Sequence, residues 1–232
     1  MVWNISSRHS ETRTKSLTKN RQIMDKKAEV EKYLQKHTSN STVIMEKFTG
    51  YYNWLLEENQ KINLISRKTD PEDIWTHHFL DSLLSMDCVD YSGRKVLDFG
   101  TGGGFPGIPL AIIYGDSQFT LLDSTKKKIQ SVKNGASRLK LTNCSFLDIR
   151  LEDIPKEHYG TFDIVVSRSV RILPEYKRTV LNLLKKSGTL VLYKSQNLED
   201  AELFSKYKVY DVSTPLIGER KIVIIEKSEC IQ

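Results

Sequence analysis

The chain contains 232 residues and carries a net charge of +6, so it is long enough to bury a full core in one large domain, with or without an appendage. No apolar run approaches the roughly 20 residues that span a bilayer, and no signal-peptide core is visible, so we expect a cytoplasmic protein and exclude a membrane one. The three cysteines lack CxxC spacing, which argues against a disulfide framework or a zinc site.

Residues 1–23 are predicted to form a disordered basic extension, because they are rich in Ser, Thr and basic side chains and contain few large apolar ones. Three interpretations stay open: translation starts at Met24, the extension is an arm that contacts RNA, or it is a transit peptide. The charge of the segment comes from Arg8, Arg13, Lys15, Lys19 and Arg21 against Glu11. The rest of the chain is nearly balanced, so overall basicity is weak evidence for a nucleic-acid partner.

Residues 24–92 are predicted to form a helical N-terminal cap. AEVEKYLQKH (28–37) and VIMEKFTGYYNWLLEENQ (43–60) space their apolar residues at intervals of three and four, which is typical of amphipathic helices. A further helix is predicted to start with Asp70 as its cap and Pro71 at its first position, followed by acidic residues in its first turn.

Residues 93–232 are predicted to form an α/β domain, because strand and helix patterns alternate from Gly93 onward. This alternation is typical of a parallel sheet covered on both faces. A short helix within 198–208 and an antiparallel strand pair are predicted to follow at one edge. The predicted strands are 95–99, 118–123, 144–148, 162–167, 189–194, 208–213 and 221–227, and the predicted helices between them are 108–114, 125–140 and 175–186.

The segment VLDFGTGGGFPG (96–107) places a glycine-rich turn directly after the first predicted strand. In doubly wound sheets this is where ligands bind, and glycines let them approach main-chain N–H groups. A phosphate loop is excluded because no Lys follows the glycines. The dinucleotide pattern G-x-G-x-x-G matches at Gly102, Gly104 and Gly107, but Pro106 stands where the helix should begin to receive pyrophosphate, so this ligand stays an alternative.

A better match reads from the strand end, where Asp98 precedes the turn of Gly100, Gly102 and Gly104. An acidic residue before such a turn is typical of S-adenosylmethionine enzymes, because the ligand carries an ammonium and a sulfonium group that a carboxylate attracts. The next predicted strand ends at Asp123, which is placed to accept both ribose hydroxyls. The alternative is that Asp123 only caps the following helix.

With these residues in view, the chain resembles the RsmG (GidB) family of bacterial small-subunit rRNA guanine-N7 methyltransferases. The resemblance runs from about residue 63 to residue 226 and includes HFLDSL, VLDFGTGGGFPGIPLAI, FTLLDSTKKK, RLEDIP, FDIVVSRSV and GERKIVIIEK. It implies a class I S-adenosylmethionine-dependent methyltransferase fold, Rossmann-like with a mostly parallel seven-stranded sheet, behind a helical N-terminal cap. It also implies 16S rRNA as the partner, within the 30S subunit or its precursor, and neither a membrane nor a metal.

The resemblance implies cofactor contacts at Gly100, Phe105, Leu151, Glu152 and Arg168, in addition to the acidic residues and the turn just described. The chain departs from the family pattern at two positions.

The first departure is His77, which stands where the family usually has a basic residue before His78. The second is Ser195, which replaces a glycine after Lys194 and puts in doubt how closely RNA approaches there.

The residues after the fourth predicted strand indicate which atom receives the methyl group. Ser167 to Val170 lack the Asn/Asp-Pro-Pro-aromatic pattern of amino-group methyltransferases, and no cysteine has the Pro-Cys context of a carbon-5 nucleophile. Guanine N7 has a free lone pair and needs no general base, so orientation alone can contribute about 7–11 kcal/mol.

We therefore predict no catalytic base and assign Arg168 and Lys194 to substrate positioning. The alternative for Arg168 is an ion pair with a nearby carboxylate such as Glu152. His77 and His78 are interpreted as packing or hydrogen-bonding residues.

Lys126, Lys127 and Lys128 fall in the first turn of a predicted helix, where the helix dipole disfavours cations. They indicate an RNA phosphate partner, with a solvated charge run as the alternative; Lys194 and the basic loop 61–68 are predicted to extend the patch. The competing functions are a methyltransferase for another RNA site or a small molecule, a non-catalytic cofactor- or RNA-binding module, and a dinucleotide oxidoreductase.

Overall fold

The computed structural model describes residues 6–230, with side chains from residue 18 onward. Helix α1 begins at Ser6, much earlier than the sequence indicates, although residues 18–22 are exposed and the first buried side chain is that of Val30. Residues 1–5 of the predicted extension lie outside the described residues, and the division into extension, cap and catalytic domain stays a prediction.

The N-terminal elements are α1 (Ser6–His37), α2 (Ser41–Glu58) and a helical segment α3, made of a π-helical turn (Trp75–Leu80), an α-helical turn (Asp81–Leu83) and a 3₁₀ turn (Leu84–Asp87).

The remaining elements alternate as predicted. The strands are β1 (Lys95–Phe99), β2 (Gln118–Leu122), β3 (Cys144–Leu147), β4 (Phe162–Arg168), β5 (Leu184–Lys194), β6 (Lys208–Asp211) and β7 (Lys221–Glu226). The helices are α4 (Gly107–Ile113), α5 (Lys126–Arg138), α6 (Pro174–Leu183) and α7 (Lys227–Cys230), with 3₁₀ turns at Leu151–Asp153 and Lys156–His158.

The seven strands form one sheet in the order β3-β2-β1-β4-β5-β7-β6. Strands β1 to β5 are parallel, while β7 pairs antiparallel with both β5 and β6, so the predicted antiparallel edge pair is confirmed. The strand order reverses between β1 and β4. Their carboxyl ends therefore form the switch point where doubly wound sheets bind ligands.

Two hydrophobic clusters cover the two faces of the sheet. One contains Val96 and Val166 together with the buried residues of α1, α2 and α3, so the N-terminal helices share a core with the sheet. The other contains Leu97 and Val165, packed against α6 and the segment after β3. Adjacent residues of β1 and of β4 belong to different clusters, because successive side chains of a strand point to opposite faces of the sheet.

Three predictions of local structure were wrong. The helical residues that lead into α3 begin at Asp73, two residues after the predicted start at Pro71. Strand β5 starts at Leu184, five residues before the predicted start at 189, because pairing with β4 overrides the polar pattern of the preceding loop. The segment 198–208, predicted to contain a helix, forms a series of turns whose Ala201 and Phe204 side chains are buried in the core. The prediction failed because apolar residues three positions apart are compatible with both a helix and successive turns.

Candidate active site

A cavity of about 220 Å³ lies at the carboxyl ends of β1 and β2. It brings together four of the predicted cofactor residues: Gly100, Asp123, Leu151 and Glu152. Phe99, Leu122, Ser124, Ile149, Arg150, Val170 and Tyr176 complete its lining. The walls are thus largely apolar, with carboxylates from two different loops.

Asp123 accepts two backbone hydrogen bonds at this cavity. Its Oδ2 accepts from the N–H of Gly102 at 3.1 Å, and its Oδ1 accepts from the N–H of Thr125 at 2.8 Å. The carboxylate therefore joins the glycine turn to the start of α5. The contact with Thr125 is the one expected if Asp123 caps helix α5. Because each carboxylate oxygen has two lone pairs, both oxygens keep an acceptor site for a ribose hydroxyl.

Asp98 is fully buried and does not line the cavity. Its Oδ2 accepts hydrogen bonds from Thr101 Oγ1 at 2.6 Å and from the N–H of Gly107 at 2.8 Å. These bonds hold the two ends of the glycine turn against the end of β1. Its Oδ1 has no hydrogen-bond partner among the described residues. Burial raises the pKa of Asp98 to about 6, against the opposing effect of these hydrogen bonds and of Arg168. A contact with the cofactor ammonium stays a prediction.

Much of the glycine turn is packed against the protein itself. Tyr51 of α2 donates a hydrogen bond to the carbonyl of Gly103 at 2.9 Å. A Cβ on Gly104 would lie 2.4 Å from the Tyr51 hydroxyl, and one on Gly107 would lie 2.6 Å from Asp98 Oδ2. Gly104 therefore lets α2 pack closely on the turn, and Gly107 lets the turn pack on Asp98 of β1. The sequence pattern does not reveal either contact.

A second cavity, of about 400 Å³, adjoins the first because Val170 lines both. It contains Arg168, His77 and His78 of the predicted residues, with Lys194 from the end of β5. Its other lining residues are Asp81, Ser169, Arg171, Tyr193, Ser195, Asn197, Asp200 and Arg220. Neither Gly102 nor Phe105 lines either cavity.

Arg168 at the end of β4 is anchored to the helical segment α3. Its Nη1 donates to Asp81 Oδ2 at 2.9 Å and to the carbonyl of His77 at 3.1 Å, and its Nη2 lies 3.0 Å from His78 Nδ1. The guanidinium also sits 5.3 Å above the ring of the buried Phe105. The carboxylate that pairs with Arg168 is therefore that of Asp81 and not that of Glu152.

His78 is held neutral in this network. Burial and the adjacent Arg168 lower the pKa of His78 to about 3, so the imidazole is uncharged at neutral pH. A neutral ring that accepts a hydrogen bond from Arg168 at Nδ1 carries its proton on Nε2. The Nδ1 lone pair is therefore occupied, which agrees with the prediction that His78 is a hydrogen-bonding residue.

Asp81 is the residue that the sequence reasoning missed. Its side chain is 2% exposed and forms ion pairs with two arginines, Arg168 and Arg220. The distance between Arg220 Nε and Asp81 Oδ1 is 2.6 Å, but the angle does not fit a hydrogen bond. The signal was an acidic residue inside the apolar run FLDSLL, because a carboxylate buried on a helix needs a cation beside it.

Lys194 also forms an ion pair inside the second cavity. It forms an ion pair with the buried carboxylate of Asp200, which also accepts from the N–H of Ile172 at 3.0 Å. Lys194 therefore lies in the second cavity rather than on the basic surface that it was predicted to extend.

That basic surface is brought together elsewhere. Lys128 shares a shallow depression of about 690 Å³ with Arg67 and Lys68. In the described part of the chain, none of these three side chains forms an ion pair, whereas Lys61 pairs with Glu58 at 3.1 Å. We call Arg67, Lys68 and Lys126–Lys128 the basic patch.

The cofactor cavity fits a nucleoside that carries a cation. Asp123 and Glu152 contribute carboxylates to its lining, and the buried Oδ1 of Asp98 next to the glycine turn accepts no hydrogen bond from the described part of the chain. Only Arg150 brings a positive charge to the lining, which suits a ribose and an amino group better than a pyrophosphate.

Among the described residues, no group of three or more His, Cys, Asp or Glu side chains is placed to hold a metal ion, and no described helix is long and apolar enough to cross a membrane.

Comparison with known proteins identifies the family. The family model GidB, described as rRNA small subunit methyltransferase G, matches residues 44–215. The chain belongs to the GidB family. Relatives named ribosomal RNA small subunit methyltransferase G support this: the one from Syntrophus aciditrophicus is 35% identical over 79% of this chain and 82% of its own length, and the one from Chlorobium chlorochromatii is 38% identical over 78% and 82%.

Solved structures show the same fold at low identity. A predicted O-methyltransferase, Atu636 from Agrobacterium tumefaciens, superposes with a TM-score of 0.53 at 15% identity, covering 63% of the GidB-family chain and 79% of its own. TYW2 from M. jannaschii, in complex with AdoMet, gives 0.50 at 15% identity over 66% and 76%. The predicted family, fold class, methyltransferase activity and S-adenosylmethionine cofactor are confirmed; the individual site residues stay predictions.

Replacing Asp123 by Asn should weaken cofactor binding by about tenfold or more, because a hydrogen bond to a charged group contributes about 1.5–3 kcal/mol. Calorimetry with S-adenosylhomocysteine measures the effect, and Asp153→Asn, at an exposed acid in the neighbouring 3₁₀ turn, is the matched control. Equal affinities for wild type and Asp123→Asn would show that Asp123 only caps helix α5.

Proposed function

We propose that the chain transfers the methyl group of S-adenosylmethionine to N7 of one guanine in small-subunit rRNA, in the cytoplasm and within the 30S subunit or its precursor. Membership of the GidB family supports the rRNA substrate. The observation that carries the proposal is the junction of the two cavities at Val170. A base in the second cavity would there meet a group held in the first.

When bound, S-adenosylmethionine supplies an electrophilic methyl group. His78 is a weak base, because its pKa is lowered to about 3 and its Nδ1 lone pair accepts a hydrogen bond from Arg168. The carboxylates of the second cavity, Asp81 and Asp200, form ion pairs with Arg168 and Lys194. This arrangement suits an acceptor atom that has a lone pair and no proton to lose. Guanine N7 is such an atom.

The hydrogen-bond donors of Arg168 support a role in orienting that base. An arginine side chain has five N–H donors, and the contacts to Asp81, His77 and His78 engage three of them. Guanine exposes N7 and O6 on one edge. A free donor on O6 would hold the ring in plane and leave the N7 lone pair directed at the cofactor cavity.

The proposal is tested by nucleoside mass spectrometry of 16S rRNA from cells with and without the gene. We expect one 7-methylguanosine to disappear and to return on complementation with the wild-type gene. Purified chain, labelled S-adenosylmethionine and either naked 16S rRNA or 30S subunits then show which form is the substrate. An unchanged nucleoside spectrum would refute the proposed reaction.

Replacing the three lysines Lys126–Lys128 by Gln should weaken rRNA binding and flatten its salt dependence, by about 0.7–0.9 in the logarithmic slope for each phosphate that is no longer neutralised. Lys126 and Lys127 are exposed, and the half-buried Lys128 shares a surface depression with Arg67 and Lys68, which supports a phosphate contact. Filter binding at several salt concentrations measures the slope. The exposed lysines Lys156, Lys186 and Lys206 changed together to Gln are the control; equal slopes for the two triple variants would leave the patch without this role.

A further inference from the structure

A cavity of about 260 Å³ lies between the C-terminal end of α2 and the loop that leads to α3. It shares no lining residue with either active-site cavity. Its volume is somewhat below the ~300 Å³ at which small-molecule pockets usually begin, so it suits a single ring system rather than a whole cofactor. We call it the loop cavity.

Part of the lining of the loop cavity is apolar. Leu55, Ile65 and Ile74 are buried, while Leu56 and Pro71 are half-buried. A planar base has two largely apolar faces, and burying them against such side chains removes them from water. The apolar lining therefore suits an unstacked nucleobase.

The polar side chains of the loop cavity have unused hydrogen-bonding groups. Asn59 is held in one orientation, because its Oδ1 accepts from the N–H of Leu64 at 2.8 Å and from that of Ile65 at 3.0 Å. Its Nδ2 donates to no described residue, and the side chains of Thr69 and Asp70 form no hydrogen bond with the described part of the chain. The cavity thus offers an amide donor, a hydroxyl and a carboxylate to the edge of a base.

The loop cavity adjoins the basic patch. Arg67 and Lys68 line both the cavity and the depression of the patch, where Lys128 joins them. None of these three cations forms an ion pair with a described residue. Among the described residues that line the cavity and the depression, they are opposed by one carboxylate, that of Asp70. Unpaired cations beside a cavity for a base are what a nucleotide of single-stranded RNA requires.

The loop cavity is linked to the active site through the segment 64–65. A Cβ on Gly103 would lie 3.1 Å from the carbonyl oxygen of Leu64 and 3.1 Å from the side chain of Ile65. The segment therefore packs directly against the glycine turn, and Ile65 itself lines the loop cavity. A nucleotide bound there lies beside the part of the protein that holds the cofactor.

We propose that the loop cavity binds the unstacked base of a second rRNA nucleotide, distinct from the guanine that is methylated; this inference rests on the proposed rRNA substrate. The phosphates that flank the base lie on Arg67, Lys68 and Lys128. The edge of the base accepts a hydrogen bond from Asn59 Nδ2. Sequence-specific recognition of RNA usually uses bases splayed out of a single strand in this way, so the site anchors a single-stranded segment of the substrate next to the reaction.

The variant Thr69→Phe tests the base contact, because the half-buried Thr69 lines the loop cavity and a larger side chain there fills it without changing the charge of the basic patch. Thr69→Val keeps the side-chain volume and is the matched control. Leu56→Phe fills the cavity from α2 and is the second test variant. Unchanged affinity for S-adenosylhomocysteine shows that the three variants are folded.

The probes are short single-stranded RNAs of adenosine, cytidine or uridine and the same ribose–phosphate backbones with abasic positions, measured by fluorescence anisotropy. We expect the full-length wild-type protein to prefer base-bearing RNA. This preference should fall about tenfold with Thr69→Phe and with Leu56→Phe, and stay close to wild type with Thr69→Val. The salt dependence should not change in these variants, because the phosphate contacts remain. Changing Lys126–Lys128 to Gln should do the converse, with a flatter salt dependence and an unchanged preference for bases.

Two results would overturn the proposal. One is the same preference for base-bearing RNA in wild type and in both filling variants, with all three RNAs. The other is calorimetric binding of free AMP, in excess S-adenosylhomocysteine, that is tighter than the binding of any of these RNAs and is abolished by Thr69→Phe, because the occupant would then be a free nucleotide. These measurements need no methyl transfer, so either failure leaves the mass-spectrometric test of the proposed function unaffected.

Discussion

Replacing Arg168 by Lys is expected to lower kcat/KM for rRNA methylation on the order of 100-fold, the usual effect of removing one oriented donor at a reacting centre. The guanidinium contacts Asp81, His77 and His78 at 2.9–3.1 Å. A lysine keeps the charge but cannot reproduce this planar set of donors. The affinity for S-adenosylhomocysteine should change little, because Arg168 lines the second cavity and not the first.

Lysine is a better test than alanine at this position. The Arg168 side chain is 10% exposed and its partner Asp81 is 2% exposed. Removing one member of a buried pair costs about 3–5 kcal/mol of stability, so with Arg168→Ala a loss of activity would be mixed with a loss of folded protein.

Arg171→Lys is the matched control for this prediction. Arg171 lines the same cavity but is largely exposed and pairs with Glu199 at the surface. We expect its methylation rate to stay close to wild type. Near-wild-type methylation by Arg168→Lys would remove Arg168 from the mechanism.

The second large effect concerns Asp98 and pH. The carboxyl is fully buried and its pKa is raised from 3.8 to about 6. The native state therefore binds this proton more tightly than the unfolded chain. Its contribution to stability is complete below about pH 4 and is lost as the pH rises through 6. A shift of about two units corresponds to about 3 kcal/mol in the free energy of unfolding.

Urea unfolding of wild type and Asp98→Asn over a series of pH values measures this contribution. The difference in the free energy of unfolding should change by about 3 kcal/mol between about pH 4 and about pH 8, with wild type losing stability toward high pH. Asp153→Asn, at an exposed acid, should give a difference that does not depend on pH. A pH-independent difference for Asp98→Asn would contradict the raised pKa.

The same Asp98→Asn protein tests the cofactor role. We expect it to bind S-adenosylmethionine more weakly, because the ammonium loses a carboxylate that attracts it. Asp98 would then be a residue retained for binding at the expense of stability, as often occurs at active sites. Unchanged affinity together with the pH effect would assign Asp98 to the glycine turn alone.

The alternation of strands and helices, the position of the glycine turn after β1 and the acidic residue at the end of β2 can all be predicted from the sequence alone. These features are local, because side-chain period and turn chemistry are written in neighbouring residues. Boundaries failed where pairing overrode the local pattern, as at Leu184, or where a short apolar spacing suited two structures, as at Ala201 and Phe204.

The groups that meet at the active site, by contrast, are set by the packing of whole elements. Asp81, Arg168 and Arg220 come from the helical cap, β4 and the C-terminal hairpin, and the sheet topology brings them together. Likewise Tyr51 reaches the glycine turn from α2. Contacts between residues so far apart in sequence leave no period or spacing to read, and it is this long-range packing that fixes the charge, burial and protonation of the site.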